Sequence, residues 1–294
     1  MRITNRMTLD TQIQYMNESK ELLDNYQEIS STGKQFQNIS DDPGKATIIL
    51  GLRSSLKVNA SYSNTAQTVT SWQSANETAF QNLTDIATQV KNLIAKGSSD
   101  TLSATDRSAI GAQLDGLLKQ SVDAANTNWT GKYIFSGFQV DKAPFSVDAA
   151  QTAVTYNGDH GILQQEISLG QKVDYGIDGS KTFSDFFKTI IAASTAMKTN
   201  DMSNINQISS DLSVSMNTIQ VARSTNGANQ KQVNSTLDSL SSTETEIKSL
   251  LSYKEDANMA EAISNLTSQE NIYKTVIEVS SRAISALNLF QVMQ

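Results

Sequence analysis

The amino-acid sequence predicts a mainly α protein with an inserted small antiparallel β domain, an α+β fold in which both chain termini build a long antiparallel helical bundle or coiled coil. Helix breakers are scarce, because the 294 residues include two prolines and fourteen glycines, against average proportions of about 5% and about 7%. Residues 129–187 hold seven of those glycines and ten of the nineteen aromatic residues. Outside that range, apolar residues recur at alternating steps of four and three, the spacing of helices that pack on helices.

Charge and amino-acid types exclude several classes of function. A formal net charge of −7 offers no attractive field to a phosphate backbone, so we expect no nucleic-acid partner. The absence of cysteine rules out disulfides and thiolate chemistry. The amino end lacks the apolar region of a cleavable signal, and no stretch reaches the ~18 apolar residues of a membrane span. We therefore expect no membrane span, and any export would use an uncleaved signal.

The amino-terminal part of the chain predicts three helices. The second extends from about Ile48 to Ile94, roughly 70 Å at about 1.5 Å per residue, and should turn back at Gly97. Ser103 and Asp106 have the spacing of a capping box, which starts a third helix that runs to about Asn128. The first helix carries a 4-3 seam through Tyr15, Ser19, Leu22, Tyr26, Ile29, Gly33 and Phe36.

The middle of the chain changes to the pattern of strands. A dense apolar run covers 133–140, and alternating apolar residues follow at 152–156 and 173–177. Asn157-Gly158 lies between strand candidates, and both residues tolerate the positive φ of a hairpin turn. We therefore predict a small antiparallel β domain in this region.

Helical spacing returns after the β region. One 4-3 seam runs from Val233 to Leu251 and another from Ala262 to Phe290, and the step between them is not a multiple of seven. We interpret the offset as a break between two helices, with Asp256 as the candidate N-cap. A shorter amphipathic helix precedes them, with the apolar residues Phe183, Phe186, Phe187, Ile190 and Ile191.

These boundaries divide the chain into five segments. The two ends mirror each other, because each has a terminal helix, an interruption and a long helix, and we expect the two termini to lie side by side. The segments are an amino-terminal tail helix with a hinge (1–41), the first part of a helical rod domain (42–130), an inserted β domain (131–180), the second part of the rod domain (181–255) and a carboxyl-terminal tail helix (256–294).

The interruption from Ile29 to Gly44 contains the residues that a hinge between two helices needs. Gly33 can leave a helix with positive φ, Asp41 and Asp42 can cap the next helix, and Pro43 fits its first turn. This interpretation accounts for the two aspartates better than a carboxylate pair that binds a metal or acts in catalysis.

The terminal helices have thin apolar seams and no neighbour in sequence that would bury them. We predict that they are poorly ordered in the free monomer and become helical when they pack against neighbouring subunits. Limited proteolysis of the monomer should then leave about residues 42–255. The predicted assembly seam consists of Ile3, Met7, Ile13, Met16, Leu22, Leu23, Tyr26, Ile29, Ala262, Leu266, Tyr273, Val276, Ala283, Leu287 and Phe290.

Several motifs resemble those of the flagellar hook-associated protein 3 family, a family of bacterial flagellin-like axial proteins. They follow the family's order over almost the whole chain, and Ile39 is a departure because the family often has proline there. The motifs are STGK (31–34), SDDP (40–43), Leu102–Arg107, GKYIFSGF (131–138), APF (143–145), Ala260–Ile263 and Leu287–Phe290. In the β region the family motif falls on Gly131, Tyr133, Ile134, Phe135 and Gly137.

The resemblance implies a flagellin-like structural subunit that self-assembles at the hook–filament junction and adapts the hook-associated ring to the flagellin filament. The implied partners are the first hook-associated protein, flagellin, further copies of the chain in a ring, and an export chaperone at the carboxyl-terminal segment. The implied location is extracellular, on the bacterial flagellum, after type III export without signal cleavage.

No group of residues indicates an enzyme, a cofactor or a metal site. His160 is the only histidine and lies in a predicted turn, so we expect a surface loop residue rather than a metal ligand. No nucleophile has a base beside it in a recognisable motif.

Two alternatives to a junction protein remain in view. Flagellin itself is the nearest, and the STGK–SDDP and GKYIFSG motifs favour the junction family over it. A cytoplasmic coiled-coil adaptor or secretion chaperone is the alternative from another class. The inserted β region and the broken helices at both ends argue against that class.

Overall fold

Helices flank a group of short strands along the chain. The computed structural model describes residues 2–36, 42–149 and 151–292. These residues are mostly helical with small antiparallel strand pairs, so the predicted fold class is confirmed. The helices are α1 (Arg2–Thr32), α2 (Pro43–Gly97), α3 (Ala104–Ala125), α4 (Gly179–Thr199), α5 (Ile205–Glu255) and α6 (Met259–Val292). The strands are β1 (Asn128–Trp129), β2 (Lys132–Tyr133), β3 (Phe145–Val147), β4 (Val154–Tyr156), β5 (Gln164–Ser168) and β6 (Gln171–Asp174).

The chain forms two compact units. The terminal unit comprises Met1–Val58 and Glu244–Gln294, and the central unit comprises Asn59–Thr243. The terminal unit thus contains both ends of the chain, and the central unit contains all the strands named above.

In the terminal unit, α1 and α6 lie antiparallel. Gln269 Nε2 donates a hydrogen bond to Ser19 O at 3.1 Å, and Ser280 Oγ donates to Gln12 Oε1 at 3.2 Å. Residue numbers rise on one helix as they fall on the other, which fixes the direction of the pair. The expectation that the two terminal helices lie side by side is therefore confirmed.

The break between α1 and α2 has the local signals that its sequence predicts. Gly33 follows α1 with a φ of 71°, and its N–H donates to Ile29 O at 2.9 Å. Asp42 Oδ1 accepts from the N–H groups of Gly44 and Lys45, both at 3.0 Å, and so caps α2. Pro43 is the first residue of α2. Asp41 lies outside the described residues.

The break between α5 and α6 occurs at the predicted place, but its cap is a different residue. Asn258 Oδ1 accepts from the N–H groups of Ala260 at 3.2 Å and Glu261 at 3.5 Å. Asn258 is therefore the N-cap, and the prediction of Asp256 is wrong. The reason is that the Asp256 N–H still donates to Ser252 O at 2.9 Å, as part of the last turn of α5.

In the central unit, α3 begins with the predicted capping box. Ser103 Oγ accepts from the Asp106 N–H at 3.1 Å and donates to the Asp106 carboxylate at 2.7 Å. The helix ends at Ala125, earlier than the predicted Asn128. It stops because the Asn126 side chain pairs with the backbone of Phe145, through bonds of 2.8 Å and 2.9 Å.

The strands form three separate two-stranded antiparallel sheets in the described part of the central unit. β1 pairs with β2, β3 with β4, and β5 with β6. Two-residue connections join β1 to β2 through Thr130-Gly131 and β5 to β6 through Leu169-Gly170, and Gly131 and Gly170 have φ values of 86° and 72°. The sheets are short, so most of their stability has to come from packing rather than from strand pairing.

The prediction of a hairpin turn at Asn157-Gly158 is wrong. β4 ends just before this dipeptide and pairs backward with β3 rather than forward with β5. Asn157 N–H donates to Pro144 O at 2.7 Å, which ties the dipeptide to the start of β3. The predicted apolar strand at 133–140 is also shorter than expected, because Ile134 and Phe135 are buried in a turn after β2.

Strands and helices of the central unit pack together in a main apolar core, while β5 and β6 bury Ile167 and Val173 in a second, smaller cluster. The rings of Phe135 and Phe183 meet edge to face with centroids 4.9 Å apart, and those of Phe145 and Phe187 with centroids 5.1 Å apart. The predicted apolar face of α4 is confirmed, since Phe183, Phe187 and Ile190 are fully buried. Such aromatic pairs add stabilisation beyond their area of contact.

A buried polar layer joins α2 to α5 within the central unit. Asn76 Nδ2 donates to Asn226 Oδ1 at 3.1 Å, and Asn226 Nδ2 donates to Gln73 O at 3.1 Å. Further along, Asn59 Nδ2 donates to Leu240 O at 2.8 Å. Buried polar pairs of this kind fix the register of paired helices.

Candidate assembly surface

The face of α1 that packs on α6 follows alternating steps of four and three. Ser19 and Leu23 are buried there, and Gln12, Met16 and Tyr26 are half-buried. This is the spacing of the two seam positions of a heptad repeat.

The α1 seam predicted through Tyr15 and Leu22 lies beside this interface rather than in it. Tyr15 is 53% exposed and Leu22 is 50% exposed, whereas Leu23 is 9% exposed. Apolar residues occupy neighbouring rows on the surface of α1, and the sequence alone does not reveal which row faces α6.

On α6, the predicted seam is the face that packs on α1. Ala262 is 5% exposed, and the polar Gln269 and Ser280 are buried through the hydrogen bonds to α1. Leu266, Tyr273, Val276 and Ala283 are half-buried on the same face.

The residues predicted for assembly therefore fall into two groups. The first lies on the facing sides of α1 and α6 and includes Met16, Leu23, Tyr26, Ala262, Leu266, Tyr273, Val276 and Ala283. The second lies away from that interface and includes the exposed Met7, Ile13 and Leu22, with Ile29 half-buried. The side chains of Ile3, Leu287 and Phe290 lie outside the described part of the structure.

The pair α1–α6 has two unequal sides. Each heptad has two seam positions, and a flanking residue comes immediately before the first of them. When two helices pair antiparallel, the flanking residues of both helices lie on the same side of the pair. We call this side the apolar flank, and it consists of Tyr15, Leu22 and Ile29 on α1 with Asn265, Ile272 and Val279 on α6. The opposite side is the mixed flank, which consists of Ile13, Lys20 and Gln27 on α1 with Ile263, Glu270 and Ile277 on α6.

Four flank residues were missed by the sequence analysis, although a signal for them exists. Ile263, Ile272, Ile277 and Val279 are between 42% and 51% exposed, and each stands one position beside the predicted α6 seam. Heptads with apolar residues at flanking positions as well as seam positions are typical of helices with more than one helical neighbour.

Among its described residues, the terminal unit exposes more large apolar side chains than it buries. Among the described residues, its buried apolar side chains are those of Leu23, Ala46, Ile49 and Ala262. Most of the exposed large apolar side chains of the described chain also belong to this unit. Contiguous apolar rows on a protein surface mark sites of interaction.

The β-region motif contributes to folding rather than to a surface site. Gly131 and Gly137 have φ values of 86° and 68°, which suit glycine. Ile134 and Phe135 between them are buried in the central core, and Tyr133 belongs to β2.

Titratable groups near this motif form a small hydrogen-bonded cluster. The Tyr156 hydroxyl donates to Asp159 O at 2.7 Å. Burial, together with the carboxylates of Asp178 and Asp159, raises the pKa of Tyr156 above its ordinary value, which keeps the phenol protonated as a donor. His160 is exposed, and its Nδ1 lies 3.0 Å from Asp178 Oδ2.

The described residues, 2–36, 42–149 and 151–292, contain neither a cluster of metal ligands nor a helix suited to crossing a membrane. Within them, no three histidine, cysteine, aspartate or glutamate side chains come together as metal ligands would. None of the helices in the same ranges combines the length and the apolar character that crossing a membrane requires.

Comparisons with known proteins relate the chain to the bacterial flagellum. A family model described as the bacterial flagellin N-terminal helical region matches residues 3–140. Flagellar hook-associated protein 3 of Escherichia coli (strain K12) is 28% identical over 193 residues, which cover 65% of this chain and 60% of that protein. The match thus spans less than two thirds of that relative.

Solved structures share the fold. FlgL from Xanthomonas campestris superposes with a TM-score of 0.63 at 17% identity, covering 68% of this chain and 99% of the other. The flagellar junction protein FlgL from Legionella pneumophila gives a TM-score of 0.57 at 14% identity, covering 64% and 99%. The chain is therefore similar in sequence to the flagellin N-terminal helical region and to flagellar hook-associated protein 3, and it shares its fold with FlgL proteins of known structure.

Proposed function

We propose that the chain is a structural subunit of the bacterial flagellum that self-assembles at the hook–filament junction and adapts the hook-associated ring to the flagellin filament. The name of the curated relative and the description of the Legionella protein as a junction protein support this role. The role requires no catalytic step, since an axial subunit acts by occupying its place in an assembly.

The observation that carries the proposal is the apolar flank of α1 and α6. Tyr15, Leu22, Ile272 and Val279 are each about half exposed, on the two helices that contain the ends of the chain. Covering the exposed half of each side chain would contribute about 1 kcal/mol, roughly half of what burying a fully exposed side chain gives. Neighbouring subunits that cover the flank would supply this burial, so that assembly would further stabilise the paired terminal helices.

The partners in this proposal are copies of the same chain in a ring, the first hook-associated protein on one side and flagellin on the other. An export chaperone would bind the carboxyl-terminal segment before assembly. The location would be extracellular, on the flagellum, after export without a cleaved signal.

Flagellin is the second candidate. The observation that favours it is the match of residues 3–140 to the flagellin amino-terminal model. The motifs of the β region and the hook-associated protein 3 relatives favour the junction role instead. A cytoplasmic coiled-coil adaptor has no comparable support.

Deletion of the gene in the source bacterium separates these candidates. A junction subunit predicts cells that keep hooks, lack filaments and shed flagellin into the medium. Loss of filaments without shed flagellin would indicate flagellin itself, and normal motility would refute both flagellar roles.

A further inference from the structure

The last residue of α5 is a buried acid in a place where an acid is costly. Glu255 is 3% exposed and ends the helix. Its carboxylate lies at the negative end of the helix dipole, where negative charge is unfavourable. Burial adds the cost of removing the carboxylate from water. Positively charged groups from elsewhere in the terminal unit are needed to offset both costs.

Two cations from the other half of the terminal unit meet this demand. Lys34 Nζ and Arg53 Nη2 both contact Glu255 Oε1, and the arginine contact measures 2.6 Å. Lys34 directly follows the glycine that ends α1, and Arg53 lies near the start of α2. The cations are about half exposed, whereas the carboxylate is buried. Loss of the ion pairs would therefore leave the carboxylate without compensation, while water could still solvate the two cations.

Backbone hydrogen bonds join the same two segments. Gln35 N–H donates to Glu255 O at 2.8 Å, and Ala257 N–H donates to Gly33 O at 2.8 Å. Lys34 and Asp256 between them form an antiparallel bridge. The break after α1 and the break after α5 are thus paired like a short piece of sheet.

We propose that Glu255, Lys34 and Arg53 form a clasp that makes the break between α5 and α6 depend on the break between α1 and α2. Without the two cations, an uncompensated buried carboxylate would sit at the end of α5, and the segment would open to return it to water. The start of α6 would then lose its fixed position. The amino-terminal segment in this way controls where the carboxyl-terminal helix begins.

Amide hydrogen exchange of the full chain, resolved by residue with NMR, tests the clasp. The variant Lys34→Met/Arg53→Met keeps the apolar stems and removes both charges. We expect the amides of Ala257 and Ala262, on the carboxyl-terminal side, to exchange about tenfold faster or more, because breaking a buried ion pair is strongly destabilising locally. Lys248→Met is the matched control, since Lys248 pairs at 2.6 Å with the more exposed Glu244 on the same helix.

A third substitution distinguishes lost charge from lost packing. Adding Glu255→Gln to the double variant removes the uncompensated charge, so exchange at Ala257 and Ala262 should return most of the way to the wild-type rate. Exchange that stays fast in the triple variant would overturn the proposal. The proposal would also be overturned if the double variant changed the exchange rate of the Gln35 amide alone. The same holds if the wild-type amides of Ala257 and Ala262 show no protection from exchange.

Discussion

Two glycines of the same motif illustrate how a single position can be constrained by conformation or by space. Gly131 and Gly137 both have positive φ, at 86° and 68°. A Cβ on Gly131 would meet nothing within 4 Å, whereas a Cβ on Gly137 would lie 2.1 Å from Asp159 Oδ1 and 2.4 Å from Asp159 O. The first position therefore requires glycine for its backbone alone, and the second for its backbone and its neighbour.

We predict unequal costs for alanine at these two glycines. Gly131→Ala should lower the free energy of unfolding by about 1 kcal/mol, the cost of a left-handed L-residue. Gly137→Ala should lower it by about 3 kcal/mol, because overpacking against the Asp159 backbone adds to that strain. Urea denaturation of both variants measures the difference. Equal losses would show that the contact with Asp159 is not a constraint.

At the scale of single elements, helix ends are where the sequence is most informative. The capping box at Ser103, the Asp42 cap before Pro43 and the glycine after α1 all rely on neighbours within a few residues. Local hydrogen bonds of this kind can be predicted from spacing alone.

The Ser103 cap gives a direct test at this scale. Ser103→Ala removes the acceptor for the Asp106 N–H and should destabilise the central unit by about 1 kcal/mol. Ser108→Ala is the control, because Ser108 is exposed in the same helix and alanine is the better helix former. Urea titrations followed by circular dichroism would measure both, and equal midpoints for the two variants would contradict the capping role.

The elements that sequence reasoning misjudged depend on partners far along the chain. Asn157-Gly158 has the chemistry of a hairpin turn, but the hydrogen bond to Pro144 and the pairing of β4 with β3 override it. The end of α3 is likewise set by Asn126 and its pairing with Phe145. The spacing of residues near Asn157 and Asn126 does not predict either pairing.

The candidate surface shows the same division. The 4-3 row chosen on α6 is the one that packs on α1, although Ile263, Ile272, Ile277 and Val279 form further apolar rows beside it. On α1, Tyr15 and Leu22 compete with Met16 and Leu23 as the seam, and only the position of α6 decides between them. The clasp around Glu255 could not be predicted either, because its cations lie more than 200 positions away.

For the molecule as a whole, the distribution of apolar side chains separates folding from assembly. The central unit buries most of its phenylalanine residues in a core of its own, whereas the terminal unit leaves apolar rows on both helices that contain the chain ends. In the proposed role, the central unit is complete in a single copy and the terminal unit requires neighbours.

A substitution on the apolar flank tests this account most directly. Leu22→Glu, expressed in the deletion strain, places a charge in the flank while leaving the buried Leu23 untouched. Asn25→Glu introduces the same charge at an exposed position on α1 outside both flanks.

Filaments are counted by electron microscopy, flagellin and the variant are assayed in the medium, and helix content is measured on purified monomers. We predict that the Leu22 variant is helical and exported, yet gives bare hooks and shed flagellin, whereas the Asn25 variant gives normal filaments. Normal filaments with Leu22→Glu would contradict the claim that this flank is covered by neighbouring subunits.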